Sequence, residues 1–145
     1  MTPVDLVVGV GTERGDDAAG LLVARALRAS RHPAAVAELA GDLTRLIDLW
    51  QPTDRVAVVD AVRSGAPAGT VHVLDATANP LPAGLAAAST HGLGLGTAIE
   101  LARGLGRLPA RLVVYGIEGS RWTEGTGVSP EVSAAVDRVA RQLRP

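Results

Sequence analysis

The sequence predicts an α/β fold with an open parallel sheet, and three stretches carry that prediction. The first is Val4 to Val10, a continuous β-branched run that leads into Gly9-Val10-Gly11-Thr12-Glu13-Arg14-Gly15-Asp16-Asp17-Ala18-Ala19-Gly20 and then into a periodic apolar run, Leu21 to Leu27. That is the order strand, glycine turn, helix; in open α/β sheets such turns lie at the carboxyl edge, where ligands bind. The second is Val56-Ala57-Val58-Val59-Asp60 and the third is Leu112-Val113-Val114-Tyr115-Gly116-Ile117. Both are apolar throughout rather than alternating, as strands buried on two faces are.

The remaining elements follow in order. Asp16 to Ser30 reads as a helix with one apolar and one basic face, ended by His32-Pro33. Ala34 to Leu39 is a short second strand. Leu43, Leu46, Ile47 and Trp50 fall at helical spacing, and Asp42 is the natural N-cap for that helix. Pro52 and Asp54 break the chain before the strand Arg55 to Asp60. Thr70 to Leu74 alternates, which suits a less buried strand with His72 facing solvent. Asp75 to Ser89, rich in Ala, Pro and Thr, reads as a long surface loop. Thr97 to Leu105 is a helix, Arg111 to Ile117 a buried strand, and Glu118 to Gly127 a second glycine-rich loop at a carboxyl edge. Ser129-Pro130-Glu131 opens the last helix, with Ser129 as cap, Pro130 in the first turn and Val132, Ala135, Val136, Val139 and Leu143 as the buried stripe.

Composition narrows the function. The chain has 145 residues, enough for one domain, 1–145, with a proper core; there is no internal repeat and no linker. A net charge of -1 and only three aromatic residues, Trp50, Trp122 and Tyr115, argue against nucleic acid as a partner. Every basic residue is Arg, so no Walker A lysine, Schiff-base lysine or Ser-Lys dyad exists. The absence of Cys removes disulfides, thiolate ligands and cysteine nucleophiles, and fits a cytoplasmic location. Asp5 interrupts any signal-peptide pattern, and no apolar run approaches a membrane-spanning length.

The glycine turn fails as a dinucleotide fingerprint. Gly9 and Gly11 fit, but the third glycine position holds Arg14, and Gly15 comes one residue late. Glu38 could imitate the ribose-binding acid, yet Asp16 and Asp17 would set two negative charges where the phosphates must lie. A helix N-terminus favours carboxylates, so the turn is built to present them. The plainer alternative is that one Asp only caps the helix. Asp60, ending a central strand, would face the same crevice as Asp17 if the two strands are neighbours; its plainer role is a loop hydrogen bond.

His91, in Ser89-Thr90-His91-Gly92-Leu93, stands just before the Thr97–Leu105 helix. If Asp17, Asp60 and His91 meet at one edge, they form a mixed oxygen and nitrogen set for a borderline divalent ion such as nickel, zinc, iron or manganese, with a coordination position left open. A Ser-His-Asp triad competes, but no G-x-S-x-G elbow is present, and Ser64 and Ser120 lie in loops without a motif. His32, next to Pro33 at a helix end, reads as structural.

These pieces resemble the hydrogenase maturation protease family over nearly the whole chain. The resemblance rests on Gly9-Val10-Gly11 with Asp16-Asp17, on Val59-Asp60-Ala61, on Ser89-Thr90-His91-Gly92-Leu93, on Gly116-Ile117-Glu118, and on Val128-Ser129-Pro130-Glu131-Val132. It implies a three-layer α/β/α sandwich of phosphorylase/hydrolase-like type, whose mixed five-stranded sheet has one antiparallel edge strand. It implies an aspartic-type endopeptidase that trims the C-terminus of a nickel-iron hydrogenase large-subunit precursor after nickel insertion. The precursor is the partner, the enzyme is a cytoplasmic monomer, and no membrane is involved. The nickel arrives with the substrate and is absent from the isolated protein. The implied nickel contacts are Asp17, Asp60 and His91, with Asp17 and Asp60 also catalytic. Thr12 stands where the family commonly has Asn, and the turn before the acid pair is one residue short, so Asp16 remains the alternative to Asp17. The competing class is a non-catalytic metal- or nucleotide-binding module on a Rossmann-like sheet.

Overall fold

The computed structural model describes residues 3–40, 43–82 and 94–144. Five strands form one sheet: β1 (Leu6–Val10), β2 (Ala35–Leu39), β3 (Arg55–Val62), β4 (Val71–Asp75) and β5 (Arg111–Glu118). Their spatial order is β2-β1-β3-β5-β4. The first three pairings across the sheet are parallel, and β4 joins β5 antiparallel at the edge. The mixed sheet and its antiparallel edge therefore agree with the expectation.

The continuous apolar runs are central, as expected of strands covered on both faces. Helices α1 (Ala19–Ala29) and α3 (Pro130–Leu143) cover one face, and α2 (Leu95–Gly104) with a 3-10 segment, Leu43–Asp48, covers the other. Alternate residues of β3 show the division: Val56 and Val58 join the cluster of α2, whereas Ala57 and Val59 join that of α1 and α3. Period-2 side-chain direction thus splits one strand between two cores. Trp50 lies in the first of these and donates its indole N–H to the Arg107 carbonyl at 2.7 Å. Among the described residues, no helix is long and apolar enough to cross a membrane.

Several local expectations change. The helix expected from Asp16 begins as a 3-10 turn, Gly15–Ala18, because the Asp17 N–H bonds the Arg14 carbonyl and the Asp16 N–H is drawn across the molecule to the Arg121 carbonyl. Residues Leu43–Asp48 form 3-10 rather than α-helical turns; Asp42, their expected cap, lies outside the described residues, as do residues 83–89 of the long loop. Ser129 does not cap α3 with its side chain, since its hydroxyl is committed to Asp16. His32 is structural as expected: Nδ1 accepts from the Ala34 N–H at 3.0 Å, so Nε2 carries the proton it donates to the Leu143 carbonyl.

Glycine sets how closely α1 approaches the sheet. A Cβ on Gly20 would stand 2.2 Å from the Val59 carbonyl oxygen and 2.3 Å from that of Val10. Only a residue without a side chain lets the helix seat itself over β1 and β3 together. This seating carries the acidic start of the helix to the carboxyl ends of both strands.

Candidate active site

Asp17 and Asp60 meet because of that seating. Asp17 sits in the turn before α1, and Asp60 follows Val59, whose carbonyl touches Gly20. Both side chains are buried, at 5% and 1% exposure. Burial pushes the Asp60 carboxyl well above its usual range, and the negative charge of Asp17 pushes it further; the Ala61 N–H works against both. Asp60 therefore holds a proton at pH values where an exposed aspartate has lost it. Asp17 accepts the Thr12 hydroxyl at 2.6 Å, while the Thr12 N–H donates to the Asp17 carbonyl at 3.3 Å. The threonine at this position is thus the residue that orients Asp17. Gly11 is required beside it, since a Cβ there would come within 2.2 Å of the Asp17 carbonyl oxygen.

Asp16 points elsewhere and has a different occupation. It is fully buried and accepts four hydrogen bonds: from the N–H groups of Ser120 and Arg121 at 2.8 and 2.9 Å, and from the N–H and hydroxyl of Ser129 at 2.6 and 3.0 Å. Burial opposes its charge, but these donors, led by the Ser120 N–H, outweigh it and hold the carboxyl below its ordinary value. Asp16 fastens the loop between β5 and α3 to the first turn of the chain and sets a negative charge at the N-terminus of α3. Asp17, not Asp16, shares its surroundings with Asp60.

A fourth buried carboxylate, Glu118, went without a role in the sequence. It ends β5 as Asp60 nearly ends β3, and that position after a continuous apolar run was the available signal. Glu118 is 1% exposed. It accepts the Ser64 N–H at 2.8 Å and the Ser64 hydroxyl, and His72 Nε2 lies 3.2 Å from Oε1. His72 therefore faces Glu118 and not solvent, contrary to expectation. The register places Asp60, Gly116 and His72 side by side on one sheet face, and the Val62 side chain lies over the glycine, 3.1 Å from where a Cβ would stand. The Ser64 hydroxyl is given to Glu118 and not to a histidine, so no Ser-His dyad forms among the described residues and acyl-serine chemistry is left without support. Glu38, the imitation ribose acid, is paired with Arg25 and Arg28.

His91 lies outside the described residues. Among the described residues, no group of three His, Cys, Asp or Glu side chains is arranged to hold a metal ion. The convergence visible here is that of two acids.

The family model for hydrogenase maturation proteases matches residues 25–144. The chain belongs to the hydrogenase maturation protease family. The NiFe hydrogenase maturation protease HybD from Thermococcus kodakarensis is 26% identical, with 94% of each chain covered and a TM-score of 0.76. The hydrogenase maturating endopeptidase HybD from E. coli is 25% identical over 95% of this chain and 88% of its own, with a TM-score of 0.74. The endopeptidase HycI from Escherichia coli, at 23% identity, 99% and 89% coverage and a TM-score of 0.71, shares the fold. No curated protein matches the chain. For a hydrogenase maturation protease, the family model begins at Arg25, after the acidic turn; the fold likeness, covering 94% of the chain, spans nearly all of it.

Proposed function

We propose that this protein is the endopeptidase that removes the C-terminal extension of a nickel-iron hydrogenase large-subunit precursor once nickel has been inserted. The observation that carries the reading is the pairing of Asp17 and Asp60 at the carboxyl edge, with burial and like charge keeping a proton on Asp60. Such a pair is poised for a cation. A metal brought in by the precursor neutralises the repulsion, so Asp60 releases its proton and both carboxylates become ligands. His91 supplies the nitrogen donor of the set.

The same acids serve the cleavage. A carboxylate of the pair takes a proton from the attacking water and returns it to the departing amine, which is general acid–base work. Thr12 fixes the Asp17 carboxylate for this role. Binding energy from the metal is available only in the loaded precursor, so cutting follows insertion. The protein works in the cytoplasm as a monomer and needs no nickel of its own. The nucleotide-binding alternative has no observation in its favour: the turn that would receive a phosphate is filled by buried acids.

The test compares nickel-loaded and nickel-free precursor with wild-type protein and with Asp17→Asn and Asp60→Asn. Cutting of the loaded form alone, abolished in both variants, is the expected result. Equal cutting of both forms would reject metal-gated recognition, and undiminished cutting by the variants would reject the two acids.

A further inference from the structure

A cavity of about 530 Å3 lies at the other end of the sheet, at the amino ends of β3 and β5, and it plays no part in the chemistry above. Its walls are apolar: Ala57 of β3, Val113 of β5, Val73 of β4 and Leu143 of α3. Val73 is 54% exposed, on an edge strand, so the cavity opens onto hydrophobic surface that water now covers. A volume of this size is that of a small-molecule site.

The charged groups of the cavity are of one sign. Its lining holds Arg55, Arg111 and Arg144 and no Asp or Glu. Arg55 is committed to Asp5, through Nε at 3.0 Å and a terminal nitrogen at 3.1 Å. Arg111 comes no closer than 3.9 Å to Asp75, beyond hydrogen-bond reach, and Arg144 has no ion pair among the described residues. Tyr115 is half-buried in the lining; burial raises its hydroxyl, and the nearby charge of Arg111 works against this. Two cations and one hydroxyl therefore converge beside an apolar hollow. His32 adds nothing to them, since both of its ring nitrogens are bonded within the protein.

We propose that this cavity is a second binding site, for an amphipathic carboxylate with an aliphatic body. The tail lies against Ala57, Val73, Val113 and Leu143. The headgroup meets Arg111 and Arg144 and accepts the Tyr115 hydroxyl, charge-assisted bonds that an alcohol of the same length cannot reproduce.

The test titrates the full chain with octanoate, octanol and acetate, following methyl and amide NMR shifts together with calorimetry. Octanoate binds saturably, with shifts at Val73, Val113 and Tyr115. Octanol, lacking the charge, and acetate, lacking the tail, each bind at least about tenfold more weakly. Arg111→Glu weakens octanoate about tenfold or more, and Arg111→Lys restores most of the loss. Val113→Trp fills the hollow and abolishes binding, which keeps the test decisive should the charge reversal unfold the protein. No saturable octanoate binding, unchanged affinity in Arg111→Glu and Val113→Trp, or shifts centred on Asp17 and Asp60 instead, would each overturn the site. Precursor cutting is unaffected by these variants, so failure here leaves the peptidase reading standing, and the reverse holds as well.

Discussion

Asp16 and Asp17 are consecutive and both buried, yet the regions around them work in opposite ways. The Asp16 region is saturated: four donors from a loop more than 100 residues away surround one carboxylate, and its charge is stabilised. The Asp17 region is crowded: a second acid, Asp60, shares the space, and the proton on Asp60 is held by burial and by its neighbour. Burial penalises a carboxylate in both places. What differs is the neighbour: four donors hold the charge of Asp16, whereas Asp60 meets a second carboxylate.

Substitutions can break this contrast from either side. The largest effect belongs to Asp60→Asn, which keeps shape and removes the titrating group. Processing falls about a thousandfold, the scale of lost acid–base catalysis, in single-turnover cleavage assays. The same variant is at least as stable as wild type in urea unfolding at neutral pH, since a neutral amide replaces a carboxyl that burial and Asp17 already keep from ionising. Asp16→Ala should reverse the pattern. It strands the N–H groups of Ser120, Arg121 and the buried Ser129 and costs about 3–4 kcal/mol of stability, read from the urea midpoint. A variant that unfolds readily but keeps its chemistry when saturated with precursor would sharpen the division.

The two acids also predict opposite pH limbs. Asp16, with a lowered folded pKa, contributes stability above its unfolded value near 3.8 that is lost as pH falls through the folded value. Asp60, with a raised folded pKa, contributes stability that is full below its unfolded value and is lost as pH rises through the folded one. Unfolding across pH should therefore lose its acid limb in Asp16→Asn and its upper decline in Asp60→Asn; identical profiles for the two variants would contradict the contrast. The smallest effect is that of Thr12→Val. It removes the 2.6 Å bond to Asp17, costing about 1 kcal/mol of stability and about tenfold in cutting rate, with substrate affinity little changed.

Local pattern made much of this legible. Continuous apolar runs located β1, β3 and β5, and each ends near an acid or a glycine turn, so the carboxyl edge and the approach of Asp17 to Asp60 could be read before any coordinates. Partners far along the chain could not. Asp16 looked like a helix cap because its donors come from residues 120, 121 and 129. Ser129 looked like a cap for the same reason, seen from the other end. His72 looked solvent-facing because alternation tells which side a side chain takes, and nothing about whether a buried carboxylate waits there. The basic hollow at the amino edge was invisible too, since it is assembled from short pieces far apart in the chain: the starts of β3 and β5, Val73 of β4 and the end of α3.

The strand order has a bearing on synthesis. β4 occupies an edge and bonds only to β5 within the sheet, yet β5, beginning at Arg111, is synthesised later than β4, which ends at Asp75. Until then the nascent chain carries a strand with no partner and an acidic turn whose fastening loop does not yet exist. The pairing of β4 and the fastening of the acidic turn therefore both wait for the segment from Arg111 onward, and a chain released before that segment is made would be exposed to aggregation.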